Sequence, residues 1–337
     1  MTHWLPLSDP SDVSVCRRNA RQLAQVAGFS QARTEEIAIV VSEAATNVLR
    51  YAKRGRCLLQ RMPGIGGPRL AVIVVDQGPG IDALDKMMRD GSSSEGSAGL
   101  GLGAMQRLSD QFDIYSNRDE GTVVACEFQL RPYLPTAMEV AGLLVTHPGE
   151  TRCGDAWDMT CVTPNATPDG RLDLILCDGL GHGHRAADAA ERVLHAFGHK
   201  PGRTPAAALA DISVDIADTR GAVAACVAVA ADGRRMSYAS VGNIATIRAR
   251  LGETKRFATR DGHLGGPAPS PYSDEVDLQP GDTVILHSDG LLTLRDLHEK
   301  PALLMRSALL IAGKLMAENF RGRDDASLSV IKIAKEM

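Results

Sequence analysis

The sequence contains few aromatic residues and has little net charge. Phe, Trp and Tyr make up 4% of its 337 residues, and the formal net charge at pH 7 is −4. So weak a charge gives no support for binding to nucleic acid or to an anionic membrane. The sequence begins with no basic-then-apolar leader, and its apolar runs are too short or too interrupted to span a bilayer. We therefore expect a soluble cytoplasmic protein with neither kind of partner.

Paired cysteine motifs are also absent. The seven cysteines are an odd number, form no CxxC pair, and several lie in apolar runs such as LILCDG, residues 174–179. This usage is more typical of reduced thiols in a cytosol than of a disulfide framework. The length favours two domains, and the hydrophobic content of 44% is sufficient for two cores.

The two parts of the chain differ in their patterns. In the first part, helical spacing predicts helices over 12–28, over 34–52 with Thr34 as a cap, and around 100–110. Strand-like runs occupy 57–62 and 69–76. The second part has many short β-rich runs, with helices predicted over 185–197, 205–219 and about 301–319. The proline-containing stretch 131–137 is predicted to be a linker between domains 1–130 and 138–337. The fold class is α+β, and its second domain is a β-sandwich flanked by helices.

Three alternating glycines, in G-L-G-L-G (99–103), precede a helix-like segment, an arrangement suited to binding an anion. Gly99, Gly101 and Ala104 fit a dinucleotide fingerprint, and Glu120 lies at the spacing of its ribose-binding acid. That fingerprint requires a strand directly before the first glycine, and the polar, small residues 89–98 cannot form one. No Lys-Ser/Thr pair follows the glycines, so the loop is not a P-loop either.

Two further motifs accompany the glycines. Glu43 and Asn47 are four residues apart on a predicted helix and therefore share a face. Alone, they read as two surface polar residues. Asp76 ends a strand and is followed by Gly78, Pro79 and Gly80, which is also ordinary turn chemistry.

Together, E-A-A-T-N (43–47), D-Q-G-P-G-I (76–81) and G-L-G-L-G (99–103) resemble the ATP-binding boxes of the GHKL superfamily. Residues 10–130 are most similar to its small serine kinases, the RsbW and RsbT group, although Tyr51 stands where many relatives have histidine. The resemblance implies an ATP-binding α/β sandwich that phosphorylates serine or threonine. By this resemblance, Glu43 is the general base and Asn47 is a Mg²⁺ ligand. Asp76 binds the adenine, Gly78 and Gly80 form the turn after it, and Thr122 lies near the base. Gly99, Gly101 and Gly103 wrap the phosphates.

The second part places aspartates at the ends of apolar runs: Asp155, Asp178, Asp289, and the adjacent pair Asp324 and Asp325. Each one alone can be a turn residue that ends a strand. If they meet at one edge of a sandwich, their charges repel unless cations lie between them. Carboxylates, carbonyls and water suit Mg²⁺ or Mn²⁺, and two such ions can activate a bridging water for attack on a phosphoryl group.

Residues 138–337 resemble the type 2C metal-dependent phosphatases of the SpoIIE and RsbX branch. Four motifs carry this resemblance: G-D-A-W-D, D-G-L-G-H-G, G-D-T-V-I-L-H-S-D-G and D-D-A-S. By this resemblance, Asp178 and the Gly179 carbonyl bridge two Mn²⁺ or Mg²⁺ ions, and further ligands are Asp155, Asp289, Asp324 and Asp325. His182 is a candidate general acid. In many relatives a histidine directly follows the D-G pair, whereas His182 lies three residues after Gly179. The alternative is that His182 is an ordinary turn residue without a catalytic role. Asn243, in SVGN, is expected to face the site.

The two resemblances together imply a fused switch enzyme, an ATP-dependent kinase joined to a metal-dependent phosphatase. The expected substrates are STAS-domain proteins of a partner-switching or stressosome pathway. The alternative is a phosphatase whose first domain only binds a partner in a nucleotide-dependent manner.

Overall fold

The structure, a computed structural model, describes residues 3–81, 101–131, 137–162, 170–267 and 270–334. It divides into two compact units. The first comprises Thr2–Tyr133 with Leu309–Ala317, and the second comprises Leu134–Ala308 with Glu318–Met337. Most of the predicted linker, residues 132–136, lies outside the described residues.

The N-terminal unit is one antiparallel sheet covered by helices on one face. The strands are β1 (Leu5–Leu7), β2 (Gly55–Met62), β3 (Arg69–Asp76), β4 (Gln111–Asn117) and β5 (Gly121–Gln129), in the order β1-β2-β3-β5-β4. The helices are α1 (Pro10–Ala27), α2 (Gln31–Asn47) and α3 (Gly101–Leu108). Their apolar faces form a core with alternate strand residues, among them Ile37, Val72 and Phe128. This is the α/β sandwich that the sequence predicted.

Local hydrogen bonds fix the ends of the first two helices. The Asp9 side chain accepts from the Ser11 N–H and Asp12 completes a capping box, while Gly28 closes α1 at φ 90°. The Ser30 hydroxyl caps α2 by accepting from the Arg33 N–H. The prediction that Thr34 caps this helix is therefore wrong. Thr34 is buried inside the helix, which starts earlier than its apolar spacing indicated.

The C-terminal unit contains two five-stranded antiparallel sheets. One has the order β13-β10-β9-β8-β7, and the other has the order β12-β11-β14-β15-β6. The strands are β6 (Met138–Val145), β7 (Asp155–Val162), β8 (Arg171–Gly179), β9 (Ala222–Ala230), β10 (Arg235–Val241), β11 (Ala245–Arg250), β12 (Glu253–Arg256), β13 (Tyr272–Asp277), β14 (Thr283–His287) and β15 (Ala326–Ile333). The sheets contact each other where β15 meets β7 and β8.

Helices flank this sandwich as predicted. They are α4 (His184–His199), α5 (Pro205–Asp215), the one-turn α6 (Pro301–Leu304) and α7 (Ala308–Asn319). Helices α4 and α5 pack on the first sheet around Ile175, Val193 and Leu209. The helix predicted over 205–219 ends early, at Asp215. Beyond its end, the Thr219 hydroxyl donates a hydrogen bond to the Ile216 carbonyl.

The helix predicted over 301–319 is broken into α6 and α7. The ammonium group of Lys332 donates hydrogen bonds to the carbonyls of Leu304 (2.8 Å) and Arg306. In a continuous helix these carbonyls would accept hydrogen bonds from N–H groups of the next turn. The Glu139 carboxylate then accepts from the Ala308 N–H (3.0 Å) and starts α7. A distant lysine and a distant glutamate therefore set this break.

The central residues of α7, Leu309–Ala317, belong to the N-terminal unit. There, Gly313 lies against Ile73, since a Cβ at Gly313 would be 2.9 Å from the Ile73 Cγ2. Lys314 is buried, pairs with Glu120 (2.6 Å) and lies 4.6 Å from the ring centre of Tyr115. Throughout the described ranges, no helix has both the length and the apolar character needed to cross a membrane.

Candidate nucleotide and metal sites

The first candidate site begins at the C-terminal end of α2. Glu43 and Asn47 lie one turn apart on this helix and are both half-buried. Asn47 is the last residue of α2, and a π-helical turn, Val48–Ala52, follows it. Helix α3 packs against α2. A carboxylate and a carboxamide are thus held on one partly open face.

Asp76 lies at the end of β3, directly opposite Thr122 of β5. Its Oδ1 accepts a hydrogen bond from the Gly78 N–H (2.8 Å). Burial raises the pKa of Asp76, and the N–H groups of Gly78 and Thr122 partly oppose this change. A carboxylate has about four acceptor positions, so Asp76 can also accept from an amino group of a ligand.

The turn after Asp76 is tightly packed. A Cβ at Gly78 would lie 2.7 Å from the Ala52 Cβ, and one at Gly80, where φ is +72°, would lie 2.8 Å from the Asn117 carbonyl. Thr122 Oγ1 lies 3.0 Å from Ser116 Oγ, which in turn accepts from the Ile81 N–H. The structure therefore brings Asp76, Gly78, Gly80 and Thr122 to one sheet edge beside the end of α2.

The glycines of the third box stand at the start of α3. Gly101 and Gly103 lie in its first turn, and the space into which a Cβ at Gly101 would project is open. Free N–H groups at a helix start beside glycine suit a phosphate. Gly99 lies outside the described residues. Glu120, the acid of the rejected dinucleotide alternative, is engaged by Lys314 and by the Tyr115 hydroxyl. The described residues fit ATP: an acceptor for the adenine, amide donors for phosphate and an oxygen ligand for Mg²⁺.

The second candidate site is built on neighbouring strands of the C-terminal unit. Asp155 starts β7, Asp178 lies near the end of β8, and the two are directly opposite in register. Asp155 is 2% exposed, and its Oδ2 has no hydrogen bond from any described residue. Gly179 packs so closely on α4 that a Cβ would lie 2.1 Å from the Ala186 carbonyl oxygen. Only glycine fits there.

The carboxylates of this site repel one another. Burial first, and then the charges of Asp155, Asp289 and Asp324, raise the pKa of Asp178 to about 9. Burial likewise raises the pKa of Asp155 to about 7, although hydroxyls of Ser288 and Ser327 oppose this change. Such a cluster of oxygen donors, in which the buried Asp155 Oδ2 has no hydrogen bond from any described residue, fits a divalent cation. No three His, Cys, Asp or Glu side chains among the described residues already surround one point as ligands.

Two loops bring Asp289 and Asp324 to the same place. A Cβ at Gly290 would lie 1.9 Å from the Asp325 carbonyl oxygen, so the two loops touch through backbone. Asn243 donates from Nδ2 to Asp289 Oδ2 (2.9 Å), which places Asn243 beside Asp289.

Asp325 differs from the other four aspartates of this site in its hydrogen bonds. It is buried, and its two oxygens accept from the N–H groups of His147 and Gly154, both at 2.8 Å. These bonds tie the loop before β7 to the start of β15. They favour a positioning role for Asp325, and its expected role as a metal ligand stays a prediction.

His182 lies on an exposed loop between β8 and α4. Its Nδ1 is 2.6 Å from Glu150 Oε1, and its ring stacks on His147 with the ring centres 5.3 Å apart. Glu150 and His147 therefore hold the imidazole in one orientation, as a positioned acid requires.

Sequence reasoning missed several residues near the second site. Ser288 precedes Asp289 in the S-D-G motif, a signal that was available. Arg220 lies against the loop between β8 and α4, since a Cβ at Gly181 would be 2.9 Å from its Nη1. Nothing in the sequence pattern links Arg220 or Glu150 to that loop, because both are distant along the chain.

Comparison with known proteins agrees with this geometry. Residues 7–128 match the histidine kinase-like ATPase domain, and residues 168–333 match the stage II sporulation protein E (SpoIIE) family. The chain is 35% identical over 124 residues to the serine/threonine-protein kinase RsbT of Bacillus subtilis, an alignment that covers 37% of this chain and 88% of RsbT. The chain therefore belongs to the RsbT family of histidine kinase-like ATPases, and the segment that matches the SpoIIE family follows this domain.

Two solved structures resemble more than half of the chain. One, described as "The bacterial stressosome: a modular system that has been adapted to control secondary messenger signaling", is 26% identical with a TM-score of 0.52, covering 58% of this chain and 98% of that one. The other, RsbX in complex with magnesium, is 21% identical with a TM-score of 0.51, covering 58% of this chain and 96% of RsbX. The second likeness shows that this chain shares the fold of RsbX.

Proposed function

We propose that the chain is a bifunctional switch enzyme of the cytoplasm. Its C-terminal unit removes phosphate from phosphoserine or phosphothreonine, and its N-terminal unit transfers phosphate from ATP to serine or threonine. The single observation that carries the phosphatase assignment is the mutually repelling cluster in which the exposed Asp289 and Asp324 adjoin the buried Asp155 and the half-buried Asp178.

In the phosphatase, Asp155, Asp178, Asp289, Asp324 and the Gly179 carbonyl would hold two Mn²⁺ or Mg²⁺ ions. When bound, such ions supply an activated water. His182, oriented by Glu150 and His147, would give a proton to the departing serine or threonine oxygen. Asp325 would keep the loops of the other aspartates in register through its bonds to His147 and Gly154.

In the kinase, Glu43 would accept the proton of the substrate hydroxyl while Asn47 holds Mg²⁺. Asp76 would accept a hydrogen bond from the adenine amino group, with Gly78 and Gly80 forming its turn and Thr122 close to the base. Gly101 and Gly103, together with Gly99, would supply N–H groups to the phosphates.

The substrates proposed for both activities are STAS-domain proteins of a partner-switching or stressosome pathway. Support comes from the identity with RsbT and from the stressosome-derived structure that more than half of the chain resembles. The seven unpaired cysteines suit a reducing compartment.

The phosphatase is tested by hydrolysis of para-nitrophenyl phosphate with and without Mn²⁺. We expect Asp178→Asn and Asp155→Asn each to lower the rate by at least about 100-fold, since each removes a charged ligand. Asp188→Asn is the matched control, because Asp188 is exposed on α4 and only pairs with Arg152. Metal-independent hydrolysis, or full activity in Asp178→Asn, would refute the assignment.

The kinase is tested with labelled ATP and a STAS-domain protein in the Asp178→Asn background, which cannot remove the label. We expect transfer that disappears in Glu43→Ala and persists in Glu35→Ala, a control on the same helix whose exposed pair with Arg21 contributes little. ATP binding without transfer would instead support the alternative, a nucleotide-dependent partner-binding module.

A further inference from the structure

A cavity of about 510 Å³ opens beside the proposed metal ligands of the C-terminal unit. It is lined by Asp289, Leu292, Phe320, Arg321, Arg323 and Asp324. Only the two aspartates have a role in the proposed mechanism. The two arginines and the two apolar residues remain to be explained.

Backbone hydrogen bonds hold the arginine segment at this cavity. The Arg321 N–H donates to the Gly290 carbonyl (3.0 Å), and the Leu292 N–H donates to the Asn319 carbonyl (2.8 Å). Leu291 and Phe320 form an isolated bridge between the same two segments. Arg321 is therefore fixed next to the turn that carries Asp289, and Arg323 directly precedes Asp324.

The charge pattern of the cavity is unusual. Arg321 and Arg323 are both exposed, and within the described parts of the chain neither guanidinium group forms a hydrogen bond or ion pair. Both nevertheless share a cavity with Asp289 and Asp324. If these aspartates hold divalent cations, the unneutralised charge that remains in the cavity is positive.

Guanidinium groups bind oxyanions through a planar pair of N–H donors, for which phosphate and carboxylate are the matching partners. The half-exposed Leu292 adds an apolar wall that suits the neighbouring residues of a peptide. The volume lies within the range of ordinary ligand pockets. A phosphopeptide satisfies all three features at once.

We infer that Arg321 and Arg323 form an oxyanion subsite that recognises the phosphorylated protein substrate. This inference rests on the proposed phosphatase function. The oxyanion is either the phosphoryl group itself or a carboxylate next to the phosphorylated residue, and both use the same guanidinium chemistry.

The test compares the full-length chain with Arg321→Gln/Arg323→Gln on three substrates in Mn²⁺. These are para-nitrophenyl phosphate, a phosphoserine peptide with neutral neighbours, and the same peptide with acidic neighbours. We expect KM to rise about 10-fold in the double variant while kcat stays within about 2-fold, because binding is lost and the metal ligands remain.

Two control variants sharpen the comparison. Arg235→Gln removes an exposed arginine at the start of β10, whereas the Asn243 that contacts Asp289 follows the other end of that strand. It is expected to leave all three KM values unchanged. Arg321→Lys/Arg323→Lys retains the charge without the planar fork, and we expect it to recover only part of the affinity.

The pattern of KM values identifies the oxyanion. A rise for all three substrates assigns the phosphoryl group, and a rise for the acidic peptide alone assigns the flanking carboxylates. Unchanged KM values for all three substrates overturn the inference.

Failure of the phosphatase proposal is recognised separately, as absence of hydrolysis by the wild-type chain. In that case, fluorescence anisotropy with a labelled phosphonate analogue of the acidic peptide tests the subsite directly. Weaker binding in the double glutamine variant supports the inference, and equal binding by the two proteins overturns it.

Discussion

Replacing Gly290 by alanine should separate activity from folding. The added Cβ would lie 1.9 Å from the Asp325 carbonyl oxygen, whereas ordinary contact begins at 3.4 Å, so the two loops must part by about 3.4 − 1.9 = 1.5 Å. Overpacking typically costs about 1–3 kcal/mol and occasionally more, so unfolding is measured together with activity. The same movement displaces Asp289 relative to Asp324. A misplacement of about 1 Å can lower a rate about 100-fold, so kcat/KM should fall by that factor.

The assay is Mn²⁺-dependent hydrolysis of para-nitrophenyl phosphate, together with thermal unfolding and calorimetric titration with Mn²⁺. Gly198→Ala is the matched control, because a Cβ there meets no atom within 4 Å on α4. It should leave activity unchanged and stability equal or slightly higher. If Gly290→Ala keeps wild-type activity and Mn²⁺ affinity, the contact between these loops does not position the aspartates, and the reasoning fails.

Three further substitutions test other parts of the structure. Glu127→Ala should lower the free energy of unfolding by about 3–5 kcal/mol in urea, because it removes the carboxylate that lies 3.1 Å from the buried guanidinium group of Arg69; a loss below about 1 kcal/mol would contradict this. Asp9→Ala should lower the midpoint of the same urea unfolding curve, since it removes the cap of α1, and an unchanged midpoint would argue against the capping box. Asp76→Asn keeps an oxygen that can accept from the Gly78 N–H but replaces the other carboxylate oxygen by an NH₂ donor. The Kd for a fluorescent ATP analogue should therefore rise at least about 10-fold. Unchanged affinity would exclude Asp76 from the adenine site.

The sequence predicted those features that depend on neighbouring residues. Strand β3 occupies 69–76 as expected, because an apolar run ends there at an acid and a glycine turn. A meeting of Asp155 and Asp178 at one edge of the sandwich was anticipated from aspartates at the ends of apolar runs, whereas their directly facing register was not. The serine before Asp289 offered a similar local signal.

Features set by distant residues could not be predicted in this way. The break between α6 and α7 depends on Lys332, and the orientation of His182 depends on Glu150. The cavity beside Asp289 depends on a backbone bond between Gly290 and Arg321. None of these pairs is close in sequence, and periodicity carries no information about them.

The membership of α7 has a practical consequence for work with fragments. The chain leaves the C-terminal unit at Ala308, contributes Leu309–Ala317 to the N-terminal unit, and returns at Glu318. A single cut near residue 137 therefore separates neither unit completely. The downstream fragment keeps the apolar helix α7 without the unit that covers it, and the upstream fragment lacks Leu309–Ala317. Aggregation of such truncations would reflect this topology, and point variants of the intact chain are the sounder way to silence one activity at a time.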